Sequence, residues 1–352
     1  MPTVPVIDIS GWGTTAAGDA SIAARVDAAC RSIGFFGIAG HQLDQAVIAA
    51  MLTEVDGFFA LPEEEKKSYL PPSPDVNRGY AAKATEALSL SLGVPTHPDL
   101  FEAFNVGPER WLGPDTSPDT SPDTQRLAMF AENNWPVRPA GFRPAVSRYF
   151  EAAAAQAAVL LEIFAVALDL DRDFFAQYTG YSTDTMRINY FQRSPGQDEP
   201  LEGQQRMGAH TDYGMVTVLY ADTVPGLQIV RADGEWQPVT PEPGTLLVNL
   251  GDLMAEWTND RWKSSLHRVV PPPRLETGPA LRRSVAFFRD GNYDALVECL
   301  PSCTSASDPP RYAPVLAGEH LRAKVLGPRT QEVSAAMSTA GDRIAAVRPK
   351  SS

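Results

Sequence analysis

The sequence predicts a mainly β protein with helices, its β-rich half forming a small barrel or sandwich behind a mixed α/β N-terminal region. Three observations carry this. From Thr185 to Phe288, short apolar runs alternate with clusters of Pro, Gly, Asn and Asp, the pattern of strands joined by turns. Phe142 to Leu168 is rich in Ala and Leu with no Pro or Gly after Pro144, so one long helix should lie against the sheet. In the first third, strand-like and helix-like segments alternate.

In chain order, Val4 to Ile9 reads as a short strand. Ser21 to Ile33 has helical spacing, with Ile22, Val26, Ala29, Cys30 and Ile33 on one stripe and Ser21 as candidate cap. Phe35 to Ala39 reads as a buried strand and Leu43 to Phe59 as a second amphipathic helix. Pro62-Glu-Glu-Glu-Lys-Lys67 opens a short third helix, with Pro near its first turn. Asp115 to Thr124 is a tandem repeat of turn residues, hence an exposed loop. Met215 to Tyr220 is β-rich and runs to the turn-forming Pro225-Gly226. Ser264 to Val270 also reads as a strand. Pro271-Pro-Pro273 and a Gly278-Pro279 turn then lead to the apolar strand Ser284 to Phe288, a hairpin that should set His267 and Arg282 on neighbouring strands. The ending, Arg348 to Ser352, is expected to be disordered.

Composition narrows the partners. With 352 residues, 43% hydrophobic and 21% charged, the chain can build one large β domain with helical decoration or two modest domains. A net charge of −13 argues against nucleic acid or an anionic membrane, which both demand a basic face. Met1-Pro-Thr-Val-Pro5 lacks the basic start and apolar run of a secretory leader. No window approaches the ~18 uninterrupted apolar residues of a membrane span. Three cysteines suggest a reducing compartment, and Cys299 with Cys303 is too small a set for a metal, so free thiols are expected. A cytoplasmic monomer acting on a small molecule is the resulting expectation.

The chemistry lies in five residues: His210 and Asp212, then His267, then Arg282 and Ser284. The chain has five histidines, so a chance His-x-Asp is expected about 0.3 times and the triplet alone carries little. Its setting carries more. In an extended segment, residues two apart face one side, so His210 and Asp212 can reach one ion together. Two imidazoles and one carboxylate are the facial set used for non-haem Fe(II), with adjacent positions left open. Arg282 offers a bidentate fork and Ser284 a hydroxyl on the same strand face, which suits the far carboxylate of a chelating keto-acid. Arg283 should point the other way. His41, His97 and His320 have no paired ligand nearby in sequence and read as structural.

These residues sit in stretches that resemble the isopenicillin-synthase-like family of 2-oxoglutarate/Fe(II)-dependent dioxygenases. The stretches are Met186-Arg-Ile-Asn-Tyr-Phe191, His210-Thr-Asp-Tyr-Gly214, Val224-Pro-Gly-Leu-Gln228, Val248-Asn-Leu-Gly-Asp252, Trp257-Thr-Asn259, His267-Arg-Val269 and Arg282-Arg-Ser284. Val4 to Ser10, Gly34-Phe-Phe-Gly37, Tyr312-Ala-Pro-Val315 and Gly318-Glu-His-Leu321 extend the similarity over most of the chain. The resemblance implies a double-stranded β-helix, or jelly roll, at residues 183–295. Around it would lie an N-terminal non-haem dioxygenase region at 1–112, a loop and long supporting helix at 113–182, and a C-terminal segment and tail at 296–352.

It also implies Fe(II) held by His210, Asp212 and His267, with O2 and 2-oxoglutarate as co-substrates. Arg282, Ser284 and Asn189 would hold the keto-acid. The implied reaction is oxidative decarboxylation to succinate and carbon dioxide, coupled to hydroxylation, desaturation or ring closure at an unactivated C–H bond. Asp212 fills the position that related halogenases leave open for chloride. Two features depart from or qualify the pattern. Asn189-Tyr190-Phe191 lacks the second aromatic hydroxyl that many members carry, although the cephalosporin-forming branch is similar in having Tyr-Phe there. Arg-x-Ser also occurs in members that do not consume 2-oxoglutarate. An Fe(II) oxidase of the same fold and a non-catalytic ligand-binding relative are therefore the alternative readings. For the substrate pocket, Arg78 is the candidate carboxylate anchor, and Tyr80, Phe104 and Phe288 are the candidate aromatic walls.

Overall fold

The computed structural model describes residues 4–94, 96–108, 128–193, 200–231, 233–271 and 280–330. The tandem repeat at 115–124, the Gly278-Pro279 turn and the ending 348–352 lie outside them. The N-terminal region contributes β1 (Val6–Asp8), α1 (Ala16–Ser32), β2 (Phe35–Ala39), α2 (Gln45–Phe59), α3 (Glu63–Lys67), β3 (Gly79–Ala81) and β4 (Glu102–Val106). The long helix α4 (Phe142–Ala167) follows. Then come β5 (Thr185–Arg193), β6 (Met207–His210), β7 (Val216–Ala221), β8 (Leu227–Val230), β9 (Trp236–Pro238) and β10 (Leu246–Leu250). The remainder is α5 (Asp252–Trp257), β11 (His267–Val269), β12 (Ala280–Arg289), β13 (Leu296–Val297), β14 (Val315–Leu316) and α6 (Ala317–Thr330).

An eight-stranded sheet in the order β1-β2-β10-β7-β12-β5-β4-β3 faces a four-stranded sheet in the order β6-β11-β8-β9. All pairings are antiparallel except β1 with β2. Residues of both sheets line one cavity between them. Strands from residues 1–112 extend the large sheet at both edges, so the N-terminal region shares hydrogen bonds and core with the jelly roll. Central β10 is buried at every position, as a strand covered on both faces must be.

The starts of the first two helices follow side-chain caps. Helix α1 begins at Ala16, not Ser21: Thr15 is extended, and its hydroxyl accepts from the Gly18 amide at 3.1 Å. Its first turn, Ala-Ala-Gly-Asp, has no fully buried residue, so the apolar period appears only at Ile22, where the helix meets the core. Asp44 caps α2 in the same way, accepting from Ala46 N at 2.8 Å, which starts that helix at Gln45. Helix α4 buries a stripe that includes Val146, Tyr149, Ala153, Ala157, Leu160 and Phe164, and packs on α1, α2 and the large sheet. Among the described residues it is the one helix long and apolar enough to cross a membrane; here it is a core helix of a globular body. The three cysteines are free.

The expected hairpin between His267 and Arg282 does not form. Strand β11 pairs with β6 and β8, whereas β12 pairs with β5 and β7, so the two residues stand on opposing sheets. An apolar run shows that a strand is buried but not which sheet it joins, because its hydrogen-bond partners are remote in sequence.

The caps make a direct test. Thr15→Ala should lower the unfolding free energy by about 1 kcal/mol, whereas Ser21→Ala should leave it within about 0.5 kcal/mol of wild type. Chemical denaturation of the two variants checks this, and the reverse order would restore the later helix start.

Candidate metal and co-substrate site

His210 ends β6 and His267 begins β11, and the two are cross-strand partners. Each is oriented by a backbone carbonyl two residues earlier: His210 Nδ1 lies 2.7 Å from Gly208 O, and His267 Nδ1 lies 3.0 Å from Ser265 O. A ring that donates from Nδ1 presents its lone pair at Nε2. Both Nε2 atoms turn to Asp212 Oδ1, at 3.9 Å and 3.7 Å. The other carboxylate oxygen, Oδ2, accepts from Asn249 Nδ2 at 2.6 Å and from the Thr217 hydroxyl. The three ligand atoms lie within 4.8 Å of one another, and all three residues are buried. Burial, and then the neighbouring His267, push the His210 imidazole well below its usual pKa, so the neutral, metal-binding form prevails.

Asp212 lies just past the strand, in a loop held by close backbone packing. A Cβ on Gly251 would stand 2.2 Å from Gly214 O, so the loop can lie this near the start of α5 only with glycine there. Asp252 N donates to Asp212 O at 2.8 Å and Leu253 N to Tyr213 O at 3.2 Å, fixing the same loop from below.

Across the cavity, β12 presents Arg282 and Ser284 on one face, with Arg282 Nη1 3.3 Å from Ser284 Oγ. Asn189, the cross-strand partner of Ser284, donates to that hydroxyl at 3.5 Å. Arg282 is 2% exposed, and its Nε has no hydrogen-bond partner. Burial lowers its pKa to about 10, and it remains charged at neutral pH. Phe191, opposite Arg282 in register, lies under the guanidinium at 5.1 Å, so the ring that replaces a hydroxyl here supports the cation by its face. Arg283 points away, to Asp56 at 2.8 Å.

The predicted substrate residues divide. Phe288 lines the cavity. Arg78, Tyr80 and Phe104 do not. Arg78 is 1% exposed and donates to the carbonyls of Asn77, Met129 and Ala131 at 2.7, 2.8 and 3.2 Å, which makes it a staple for the 129–131 segment. The Tyr80 hydroxyl donates to Glu102. Phe104 packs on Phe58 and Phe142 at 5.1 and 5.0 Å. The alternation of β4 explains the difference: its next residue, Asn105, faces the cavity, and a shift of one residue exchanges the faces.

Several cavity residues escaped the sequence reading. Arg187 precedes Asn189 by two on β5, a same-face spacing that could have revealed it. Its Nη2 meets Glu86 Oε2 at 2.7 Å, and its Nε donates to Asn189 Oδ1 at 3.1 Å. Asn249, a polar residue within an otherwise apolar buried strand, was a second legible signal. Glu86 and the α6 residues Leu321, Val325 and Arg329, which close the cavity, carried no local signal.

The chain is similar to known proteins over most of its length. Residues 4–138 match the model of the non-haem dioxygenase in morphine synthesis N-terminal region, and residues 182–291 match that of the 2OG-Fe(II) oxygenase superfamily. The 2-oxoglutarate-Fe(II) type oxidoreductase hxnY of Emericella nidulans is 34% identical over 91% of this chain and 89% of its own length. Validamycin A dioxygenase of Streptomyces hygroscopicus is 32% identical over 81% of this chain and 76% of its own. Among solved structures, a full-length Neurospora crassa protein in complex with alpha-KG and thymine superposes with a TM-score of 0.77 at 27% identity, covering 92% of this chain and 96% of that one. The chain belongs to the 2-oxoglutarate/Fe(II)-dependent dioxygenases. It is an oxidoreductase of jelly-roll fold that uses Fe(II) and 2-oxoglutarate. The donor set fits that metal, and an unsatisfied buried guanidinium fits a carboxylate.

The relocation of Arg78 has a measurable consequence. Arg78→Ala should destabilise the fold by about 1.5–3 kcal/mol, because three carbonyls lose a charged donor. In denaturant melts the loss should appear with or without 2-oxoglutarate. A variant of wild-type stability with a selectively raised substrate KM would return Arg78 to the pocket.

Proposed function

We propose that His210, Asp212 and His267 are the iron ligands, and that Arg282 and Ser284 bind the far carboxylate of 2-oxoglutarate, with Asn189 orienting Ser284. The observation that carries this reading is convergence: two imidazole Nε2 atoms and one carboxylate oxygen meet on one side of the cavity, and an arginine with an unpartnered nitrogen faces it from the other. When bound, iron with 2-oxoglutarate and O2 supplies the oxidant for C–H cleavage, and the keto-acid leaves as succinate and carbon dioxide. The chain's own residues do the rest. Thr217 and Asn249 hold one oxygen of Asp212, so the other is aimed at the ion. The buried sheet faces and α6 limit access of water to the site.

The primary substrate, on this reading, is a small organic molecule that carries polar groups and is hydroxylated. Support comes from the cavity wall, which is polar around Arg187, Glu86 and Asn105 and apolar at Leu219, Phe288 and Val325. It comes also from relatives whose names give small molecules as what they act on or bind, such as validamycin A and thymine. A net charge of −13 leaves nucleic acid and anionic membranes outside this reading.

Anaerobic titration with Fe(II) and then 2-oxoglutarate, followed by a substrate screen read by succinate release, tests the whole assignment. His210→Ala, Asp212→Ala and His267→Ala should each abolish iron-dependent turnover and the visible band of the iron–keto-acid complex, with the fold retained by circular dichroism. Wild-type iron affinity in any of them removes that residue from the set. Arg282→Gln should raise the 2-oxoglutarate requirement by roughly ten- to hundred-fold while iron affinity stays near wild type, and Ser284→Ala should be milder. An unchanged requirement would make Arg282 structural.

A further inference from the structure

Helix α6 closes the cavity with Leu321, Val325 and Arg329, yet the lysine between the first two turns elsewhere. Lys324 is 2% exposed and forms an ion pair with Asp252 Oδ2 at 3.1 Å, the aspartate side chain being 1% exposed. Thr211, the residue between the two proposed ligands His210 and Asp212, donates from its hydroxyl to that same oxygen at 3.2 Å. The backbone of Asp252 meanwhile donates to Asp212 O at 2.8 Å. One carboxylate therefore joins the closing helix to the loop that carries two of the three ligands.

Two ionised side chains this deep are tolerated only as a pair. Removing the lysine would take the buried cation from the Asp252 carboxylate, a costly loss at this depth. No direct contact with a metal or a substrate is needed to explain the lysine, and a leucine would serve simple packing at least as well. We propose that Lys324 is a positioning residue: through Asp252 it couples the seating of α6 over the cavity to the placement of the Thr211–Asp212 segment, so helix closure and metal binding favour each other. This rests on the iron assignment above. Because coupling between sites is reciprocal, iron at the triad should tighten a helix it does not touch.

The full-length protein tests this by hydrogen exchange under argon, first without metal and then with Fe(II) alone. Fe(II) is expected to slow exchange in 317–330 as well as in 210–217. If wild type fails to bind Fe(II), the iron assignment falls and the coupling with it. If Fe(II) binds and protects 210–217 but not 317–330, the coupling alone is overturned. Lys324→Met should speed exchange in both segments and weaken Fe(II) binding by about ten-fold. The double variant Lys324→Met/Asp252→Asn, which removes both charges, should recover most of the Fe(II) affinity, and Lys324→Arg should retain it. Loosening confined to 317–330 in Lys324→Met, with wild-type Fe(II) affinity, would show a merely structural lysine, and so would a double variant no better than the single one. Should Lys324→Met fail to fold, the wild-type exchange experiment and the double variant decide the matter.

Discussion

The Asp212 carboxylate sits 6% exposed between two sheets, beside the His210 imidazole, kept neutral by burial, and the His267 ring, and much of the surrounding structure serves to hold it there. A buried carboxylate is costly unless its lone pairs are used. Oδ2 is satisfied by Thr217 and Asn249, from the adjacent large-sheet strands β7 and β10. Oδ1 faces the two Nε2 atoms, neither of which is a donor when Nδ1 carries the proton. A cation placed among the three atoms would take up that oxygen and both ring lone pairs, so the site is pre-organised for one.

The same pre-organisation recurs on the opposite wall. Arg282 is nearly as buried as any aliphatic core residue, and the fold offers its guanidinium a phenyl face and a serine hydroxyl in place of a counter-ion. On the proposed reading, the far carboxylate of the co-substrate supplies that partner. Placing the ligand set on the four-stranded sheet and its loop, and the arginine on the eight-stranded sheet, sets these two unsatisfied groups face to face across the sandwich. A chelating dicarboxylate can bridge that gap with one end at the metal and the other at Arg282.

Around this shared centre, the rest of the cavity wall is assembled from distant parts of the chain. Asn77, Glu86 and Asn105 come from the N-terminal region, Arg187 from β5, and Arg329 from the last described helix. Glu86 sits between Arg187 and Arg329, at 2.7 and 3.9 Å, so one carboxylate of the N-terminal region is tied to β5 and to the last described helix. Iron and keto-acid chemistry can stay constant while these outer segments vary, which is consistent with relatives named for quite different small molecules.

The residues proposed to carry the chemistry were legible in the sequence as candidates because their constraints are local. His210 and Asp212 are two apart, Arg282 and Ser284 share a strand face, and turn residues mark the strands that carry them. Period-two and period-3.6 patterns likewise revealed the sheet core and α4. Only the tertiary structure decided the rest. It placed His267 and Arg282 on opposing sheets rather than in one hairpin, moved the start of α1 to Ala16 behind the Thr15 cap, and turned Arg78, Tyr80 and Phe104 away from the cavity. It also brought Lys324 to Asp252 across the chain. Local periodicity reports which face of an element is buried. The identity of the neighbour is set by strand pairing and by the pairing of buried charges, and both join residues too far apart in sequence to leave a local trace.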